Sequence, residues 1–356
     1  MTTPAAAPSN VAAHPSHDSV FLRACRREPV PYTPVWLMRQ AGRYMVEYRA
    51  VRAKLSMLEL CKSPDVVSEV TCFARRRIGA DAAILFADLL LIAEPLGVSL
   101  TFATGEGPLL EPAVRDAAAV DRLREAHPDE LAYVYDAVRA VRRDLEPAIP
   151  LIGFAGAPFT VASYLIEGKG SRHFEQVKDF MYRDEGAWNA LMAKIVRATT
   201  GYLMRQVEAG CQALQVFDSW VGALSPADYR RYVLPHTRAL FAGLPADVPV
   251  IHFGTGTATL LRDMRAAGGT VIGFDWRVEL DRAWAEVGHD IAVMGNLDPL
   301  LLLGDVAVLE RETDRILAEA DGRLGHVFNL GHGILPGTPV DHVVRLIDQV
   351  HERSRR

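Results

Sequence analysis

The sequence is poor in cysteine, and its four cysteines form neither a CxxC nor a CxC pair. This pattern does not indicate a zinc site with ligands close in sequence or a dense disulfide framework, so we expect a reducing, cytoplasmic location. Long apolar runs are also lacking, because Asp88 interrupts the most hydrophobic stretch, AAILFADLLLIAEPLGV. A membrane-spanning helix needs about 18 consecutive apolar residues, so no membrane span is expected.

An excess of positive charge is missing as well. The 356 residues include 39 Lys plus Arg against 44 Asp plus Glu, which gives a formal net charge of -5. Such a chain has no overall field that attracts a phosphate backbone, so no nucleic-acid partner is expected. The 49 % of hydrophobic residues is sufficient for a large buried core.

The amino-terminal segment differs in composition from the rest of the chain. Residues 1–18 are rich in Ala, Pro and Ser and lack the basic start and continuous apolar core of a secretory signal. No long linker and no internal repeat divides the remainder. We therefore predict a disordered tail at residues 1–18 and one domain over residues 19–356.

Eight short apolar runs recur along the chain without strict alternation of polar residues, which is typical of strands buried on both faces of a parallel sheet. Helical patterns with Ser, Thr or Asp near the start and Gly at the end separate most of them. The order predicts an α/β fold, a single-domain (β/α)8 TIM barrel with its active site at the carboxyl ends of the strands. The runs cover residues 35–38, 82–86, 150–156, 213–218, 249–254, 270–275, 291–296 and 326–331.

An additional hairpin is predicted after the second of these runs. The segment at residues 99–114 combines SLTFAT with GEGPLLEPAV, two short strand patterns around a glycine-containing turn. The sequence assigns no function to this hairpin.

A basic segment follows the first run, with four arginines and one lysine against Glu47 alone in residues 39–54. Two of the arginines flank a short loop directly after a predicted strand. Glycine there allows close approach of backbone to a ligand, and guanidinium groups bind carboxylates in a bidentate manner. The loop predicts an anion site, while a solvated basic helix face is the alternative. The loop consists of Arg39, Gln40, Ala41, Gly42 and Arg43.

Asp88 is the second candidate. Six apolar or small residues precede this carboxylate and five follow it, at the predicted end of a strand. A buried unpaired charge is costly, so Asp88 needs donors from protein amides, an arginine or ligand N–H groups. A helix cap or a structural ion pair is an equally weighted alternative.

His332 lies between two glycines after the eighth run. It could bind a carboxylate or transfer protons near neutral pH, and a structural, hydrogen-bonded histidine is the alternative. Tyr164 and Ser219 could each supply a hydroxyl, although buried hydroxyls more often bond to backbone groups.

Cofactor motifs are missing. The sequence contains no GxxxxGK[ST] phosphate loop and no HExxH pair, and FGTGTATLL matches only part of a dinucleotide-binding fingerprint because Thr259 stands at its third glycine position. We therefore expect no metal and no cofactor.

Taken together, several segments resemble the uroporphyrinogen decarboxylase family from about Phe21 to the last predicted helix. The resemblance implies a cofactor-free (β/α)8 barrel of porphyrin and haem biosynthesis, usually a homodimer. It also implies removal of CO2 from the four acetate side chains of the tetrapyrrole uroporphyrinogen III to give coproporphyrinogen III. The matching segments are PVWLMRQAGRY, ILFADLLL, GFAGAPFTVASYLIEG, QVFDSW, GFDWRV, GNLDP and NLGHGILP.

The resemblance also implies functions for individual residues. Asp88 accepts hydrogen bonds from pyrrole N–H groups and stabilises the protonated pyrrole, and Arg39, Tyr164 and His332 join it as catalytic residues. Arg39 matches a residue proposed as the proton donor in this family. A guanidinium stays charged and is a very weak acid, so the identity of the proton donor is not assigned. The implied substrate-binding set is Arg39, Gln40, Ala41, Gly42, Arg43, Asp88, Tyr164, Phe217, Ser219 and His332.

Two alternatives remain. A corrinoid-dependent zinc methyltransferase of the same barrel superfamily uses an HxC pair and a further cysteine, but the corresponding stretches here are His252-Phe253-Gly254 and Gly331-His332-Gly333. A tetrapyrrole carrier without catalysis would keep the arginines but would not require Asp88.

Overall fold

The structure is a computed structural model that describes residues 14–103 and 107–356. Its strands are β1 (Ala83–Ile84), β2 (Ser99–Ala103), β3 (Gly107–Glu111), β4 (Leu151–Gly156), β5 (Ala213–Asp218), β6 (Val250–Gly254), β7 (Val271–Gly273), β8 (Ala292–Met294) and β9 (His326–Val327). In these ranges seven strands form one parallel sheet in the order β1, β4, β5, β6, β7, β8, β9. The α/β class is thus confirmed.

Helices lie before, between and after the strands of this sheet. They are α1 (Val20–Cys25), α2 (Val46–Arg52), α3 (Met57–Cys61), α4 (Pro64–Ile78), α5 (Ala117–Arg122), α6 (Ala132–Asp144), α7 (Pro158–Glu167), α8 (Glu175–Arg183), α9 (Glu185–Ala209), α10 (Pro226–Asp228), α11 (Leu234–Ala242), α12 (Leu261–Ala267), α13 (Leu280–Val287), α14 (Val306–Ala320) and α15 (Val340–Arg353). The bounds of α9 follow its capping residues. The Asp184 side chain accepts from the backbone N–H of Ala187, and the helix ends before Gly210.

The sequence analysis predicted a strand over residues 35–38. This prediction is wrong beyond the first residue, because in this segment only Val35 forms a parallel bridge, to Phe328. Side-chain amides replace the strand ladder beyond this point. The backbone N–H of Leu37 donates to Gln40 Oε1 at 3.3 Å, and that of Met38 donates to Asn329 Oδ1 at 3.2 Å. The chain therefore turns toward Arg39 instead of continuing as a strand.

The same segment nevertheless connects the two edges of the sheet. The backbone N–H of Asp81, just before β1, donates to Val35 O at 2.8 Å. The backbone N–H of Phe328, just after β9, donates to Pro34 O at 2.9 Å. Residues 34–35 thus lie between the first and last strands of the sheet.

The predicted hairpin is confirmed as the antiparallel pair β2 and β3, in which Ser99 pairs with Glu111. It lies beside the end of α7, since the backbone N–H of Leu110 donates to Gly168 O at 2.8 Å. Residues 104–106 of this region lie outside the described part of the chain.

The strand register determines which side chains share a face of the sheet. Phe217 of β5 is in register with Phe253 of β6, and their ring centroids lie 6.2 Å apart. His252, the preceding residue of β6, lies on the opposite face against α12, with Nδ1 3.3 Å from Met264 O. Because carboxyl ends of parallel strands share one edge, the loops that follow them converge there.

The amino-terminal prediction is only partly covered by the structure. Residues 1–13 lie outside the described residues, and residues 14–18 form a turn in which Ser16 is buried. The side chain of Arg26 donates to His17 O at 2.8 Å. The division between a tail and a domain at residue 18 stays a prediction. Among the described helices, none is both long and apolar enough to cross a bilayer.

Candidate active site

The arginine loop at residues 39–43 is held by Gln40 and Tyr44. Gln40 is buried, its Oε1 accepts from Leu37 N, and its Nε2 donates to Ala82 O at 3.2 Å. The Tyr44 hydroxyl donates to Gln40 O at 2.8 Å. The side chain of Gln40 therefore positions the loop, and its contact with substrate stays a prediction.

Backbone geometry at the loop is unusual. Arg39 has a φ of 62°, in the left-handed region that non-glycine residues seldom adopt. A Cβ atom on Gly42 would lie 2.9 Å from Arg39 O, so only glycine fits there without movement of the chain. Strain of this kind persists where surrounding contacts enforce it and is concentrated at functional sites.

Arg49 stabilises the end of the same loop from α2. Its Nη1 donates to Arg43 O at 2.8 Å and to Tyr44 O at 3.1 Å. The sequence analysis counted Arg49 only as part of the local positive charge. Its positioning function depends on the fold of the loop, which no local motif shows.

Arg39 and Arg43 are the free cations of this loop. Neither forms an ion pair with the residues described by the structure, and both side chains are exposed. Partial burial and the neighbouring Arg43 lower the pKa of Arg39, while Tyr164 and Asp88 oppose that shift. A guanidinium stays charged at neutral pH despite such shifts, so both side chains can bind carboxylates.

Asp88 lies close enough to Arg39 and Tyr164 for its charge to interact electrostatically with both side chains. Its Oδ1 accepts from the backbone N–H of Leu90 at 2.9 Å. Burial raises the pKa of Asp88, while the Leu90 N–H and Arg39 oppose the rise. The side chain does cap a local turn, but it forms no ion pair within residues 14–103 and 107–356.

Tyr164 projects from α7 beside Trp220. Burial and Asp88 raise the pKa of Tyr164, and a hydrogen bond from the Trp220 side chain opposes the rise. The Trp220 ring lies 5.8 Å from that of Tyr164 and 5.5 Å from that of Phe174, measured between centroids. Trp220 was not predicted as a site residue, although it follows directly after QVFDS at a strand end.

Phe217 and Ser219 follow each other at the end of β5. The ring of Phe217 is partly exposed and contacts Phe154 edge to face, with centroids 5.7 Å apart. Ser219 is partly exposed too, and its carbonyl oxygen accepts from Thr255 Oγ1 at 2.5 Å. These residues offer an apolar wall and a hydroxyl near the edge where the strands end.

His332 lies near Arg39, since the adjacent Gly333 packs against the Arg39 side chain. Burial, Arg39 and Arg277 lower its pKa to about 4, and Asp275 opposes the shift. The imidazole is therefore neutral at pH 7 and can donate one N–H to a carboxylate. A function of His332 in proton transfer stays a prediction.

His252 stands at a zinc-ligand position of the methyltransferase alternative. His252 is fully buried against α12, on the opposite sheet face from Phe253. Within the described residues, no group of three or more His, Cys, Asp or Glu side chains is arranged to hold a metal ion.

The fold and site define an α/β protein of the parallel-sheet class, with a carboxylate among arginines where the strands end. The family model described as "Uroporphyrinogen decarboxylase (URO-D)" matches residues 16–353. The chain belongs to the uroporphyrinogen decarboxylase family.

Curated relatives agree with this family. The chain is 58 % identical to uroporphyrinogen decarboxylase of Sorangium cellulosum, over 95 % of this chain and 97 % of that protein. It is 53 % identical to the protein of the same name from Koribacter versatilis, with the same coverage of both chains. The predicted family resemblance is thus confirmed over nearly the whole chain.

Among solved structures, the fold is similar to a methyltransferase from Methanosarcina mazei. The TM-score is 0.76 at 21 % identity, covering 96 % of this chain and 99 % of that chain. This similarity concerns the fold alone.

Proposed function

We propose that the protein is a carboxy-lyase that removes CO2 from the four acetate side chains of uroporphyrinogen III and forms coproporphyrinogen III. The observation that carries the proposal is the position of Asp88, a carboxylate without an ion-pair partner in the described chain, beside Arg39 and Tyr164. Family membership supports the same reaction.

The substrate complements this arrangement. Uroporphyrinogen is a flexible tetrapyrrole with many peripheral carboxylates and four inward N–H groups. Asp88 accepts from the pyrrole N–H groups, while Arg39 and Arg43 bind carboxylates at the periphery. The partly exposed ring of Phe217 packs against the macrocycle, and Tyr164, Ser219 and His332 donate hydrogen bonds to substrate oxygens.

The reaction begins when a proton adds to the pyrrole α-carbon beside an acetate, which makes the ring a cation. The bond between the acetate methylene and its carboxylate then breaks, CO2 leaves, and the bonding electron pair neutralises the ring. A second proton adds to the exocyclic methylene to form a methyl group, and the α-carbon loses its extra proton. One proton is consumed in total.

Asp88 lowers the barrier because its negative charge is already in place where the positive charge develops. The charge does not have to be assembled during the reaction, and the partly buried setting strengthens its effect. Chemistry of this kind requires no metal and no organic cofactor.

We further propose that Pro34 and Val35 take the place of an eighth strand and close a (β/α)8 barrel. The hydrogen bonds that Pro34 and Val35 form with residues beside β9 and β1 support this closure. The substrate loops would then surround one circular rim, at which all the proposed site residues meet.

The proposal includes a cytoplasmic homodimer. The four cysteines are buried and unpaired, which fits a reducing compartment. The dimer is implied by the family resemblance, and sedimentation analysis of the purified protein tests it.

The decisive experiment is anaerobic incubation of the protein with uroporphyrinogen III, followed by oxidation and chromatography of the products. We expect a ladder of porphyrins with successively fewer carboxyl groups. A carrier would return the starting material unchanged, even where it bound tightly.

A further inference from the structure

A clamped arginine follows β7, in a segment to which the proposed reaction has so far assigned no function. The Asp275 side chain is buried, and its Oδ2 accepts from Arg277 Nη1 and from the backbone N–H of Gly256, both at 2.6 Å. Its Oδ1 accepts from the backbone N–H of Arg277 at 3.1 Å. A buried carboxylate thus fixes one corner of the Arg277 guanidinium.

The face of the same guanidinium is also fixed. Its central carbon lies 3.9 Å from the centroid of the Trp276 ring, which is the geometry of a cation–π contact. About half of the Arg277 side chain, 51 %, is still accessible. The group is therefore held in place on one face and one corner, while other N–H groups stay open to the surroundings.

Arg277 belongs to the same rim as the arginine loop. The ring of Trp276 lies 6.3 Å from that of His332, with the two planes perpendicular. Gly331 packs against the backbone of Asp275 and Trp276, so closely that a Cβ atom on it would lie 2.9 Å from Asp275 C. Arg39 rests against Gly333, the residue after His332, where a Cβ atom would lie 2.6 Å from Arg39 Cγ.

Hydrogen-bond capacity shows what this arrangement can bind. A guanidinium has five N–H donors, and Asp275 uses only Nη1. The remaining donors suit a carboxylate, and little side-chain entropy is lost on binding because the group is already held. The Asp275 charge offsets the cost of holding a cation beside Arg39 and His332.

We propose that Arg277 is a further substrate-binding residue, which binds a peripheral carboxylate of the tetrapyrrole near His332. This inference rests on the proposed function and extends it. A macrocycle with carboxylates around its whole periphery needs cations at several positions. Arg39 and Arg43 bind some of these carboxylates, and Arg277 binds another.

The alternative function of Arg277 is structural, as a counter-ion that keeps Asp275 in place. The two functions differ in their kinetic effect. Loss of a carboxylate contact weakens substrate binding, whereas loss of a structural counter-ion lowers stability and leaves the KM of the folded fraction unchanged.

The experiment compares wild type, Arg277→Ala, Arg277→Lys and the control Arg282→Ala. Arg282 is 81 % accessible, pairs with Glu279 on the outside of the fold, and has no proposed contact with substrate. The KM and kcat for uroporphyrinogen III are measured for each protein, and thermal unfolding is recorded in parallel.

We expect the KM of Arg277→Ala to rise about ten-fold while its kcat stays within about two-fold of wild type, as for loss of a charged hydrogen bond. Arg277→Lys keeps the charge but cannot form the bidentate contact of a guanidinium, so its KM should lie between those of Arg277→Ala and wild type. The control should match wild type.

A KM within about two-fold of wild type in folded Arg277→Ala overturns the inference, and so does a fall in kcat at unchanged KM. If Arg277→Ala does not fold, the KM of Arg277→Lys tests the inference instead. A raised KM supports it, and a KM within about two-fold of wild type overturns it. A wild-type protein that produces no ladder contradicts the proposed reaction itself, which is a separate result.

Discussion

The side chain of Arg39 lies directly against the backbone of Gly333. A Cβ atom on Gly333 would stand 2.6 Å from Arg39 Cγ and 2.9 Å from Arg39 Nε, closer than nonbonded atoms approach. The loop after β9 therefore leaves room for the arginine that begins the loop at residues 39–43. A glycine far along the sequence determines the position of the guanidinium.

Replacement of Gly333 by alanine should displace Arg39 without changing any charge. Because overpacking costs about 1–3 kcal/mol, we expect kcat/KM to fall roughly ten-fold. Steady-state kinetics with uroporphyrinogen III measures the effect. Gly337→Ala is the control, since a Cβ atom there would meet nothing closer than 3.7 Å. Equal kinetics in the two variants would contradict the packing argument.

Asp88→Asn should abolish most turnover and also weaken substrate binding, because its amide nitrogen cannot accept from the pyrrole N–H groups. The amide oxygen of asparagine can still accept from the Leu90 N–H, so the local turn is retained while the negative charge is lost. We expect kcat to fall by at least about a hundred-fold, the usual scale for loss of an electrostatic stabiliser. Asp341→Asn, whose side chain is 92 % accessible, is the control. Normal turnover by Asp88→Asn would refute the mechanism.

Arg39 should influence the pH at which kcat/KM declines on the acidic side, because its charge affects the pKa of Asp88. The raised pKa of Asp88 means that its carboxylate is protonated at a higher pH than an ordinary aspartate, so activity is present above that pKa and is lost as the pH falls through it. Arg39 opposes the rise, and Arg39→Met should therefore move this decline, the acidic limb of the pH profile, to higher pH.

Arg39→Lys supplies the comparison for this shift. It keeps the charge, so its acidic limb should stay near that of wild type, while KM rises because the fork geometry is lost. The measurement is kcat/KM from pH 4 to pH 8 for the three proteins. An unmoved limb in Arg39→Met would show that Asp88 does not control it.

Treatment with a chelator should leave activity unchanged, because the proposed mechanism uses a protein carboxylate in place of a Lewis acid. Activity is assayed after prolonged incubation with EDTA and removal of the chelator. Strong inhibition that added zinc reverses would favour the methyltransferase alternative instead.

His326 should make the fold sensitive to acid. Burial lowers its pKa to about 4, while its Nε2 lies 3.0 Å from Gly295 O. The unfolded chain binds a proton below about pH 6.5 and the folded chain only near pH 4, so the free energy of unfolding decreases as the pH falls between these values. The full effect is roughly 3 kcal/mol.

Urea unfolding of wild type and His326→Gln at pH 7 and pH 4.5 measures this dependence. The variant should be less stable at pH 7 but lose less stability on acidification. The exposed His173→Gln should retain the wild-type slope. An unchanged slope in His326→Gln would assign the acid sensitivity to other groups.

The sequence predicted most strands and several helices because their signals are local. Apolar runs of four to seven residues mark buried strands, and the pattern from Asp184 to Gly210 carries both ends of α9. Arg39, Asp88 and His332 could be placed near one another for the same reason, since parallel strands end at a common edge.

The sequence by itself thus determined the α/β class, the family motifs and the edge of the sheet at which the charged residues gather. Only the tertiary structure decided that residues 35–38 leave the strand ladder, that Arg49 holds the loop and that Arg277 is clamped by Asp275. These outcomes depend on partners that are distant in sequence, such as Asn329 for Met38, or on the path of a loop. Periodicity in the chain records which side chains are buried, but it does not record which groups bond to each other once they are buried.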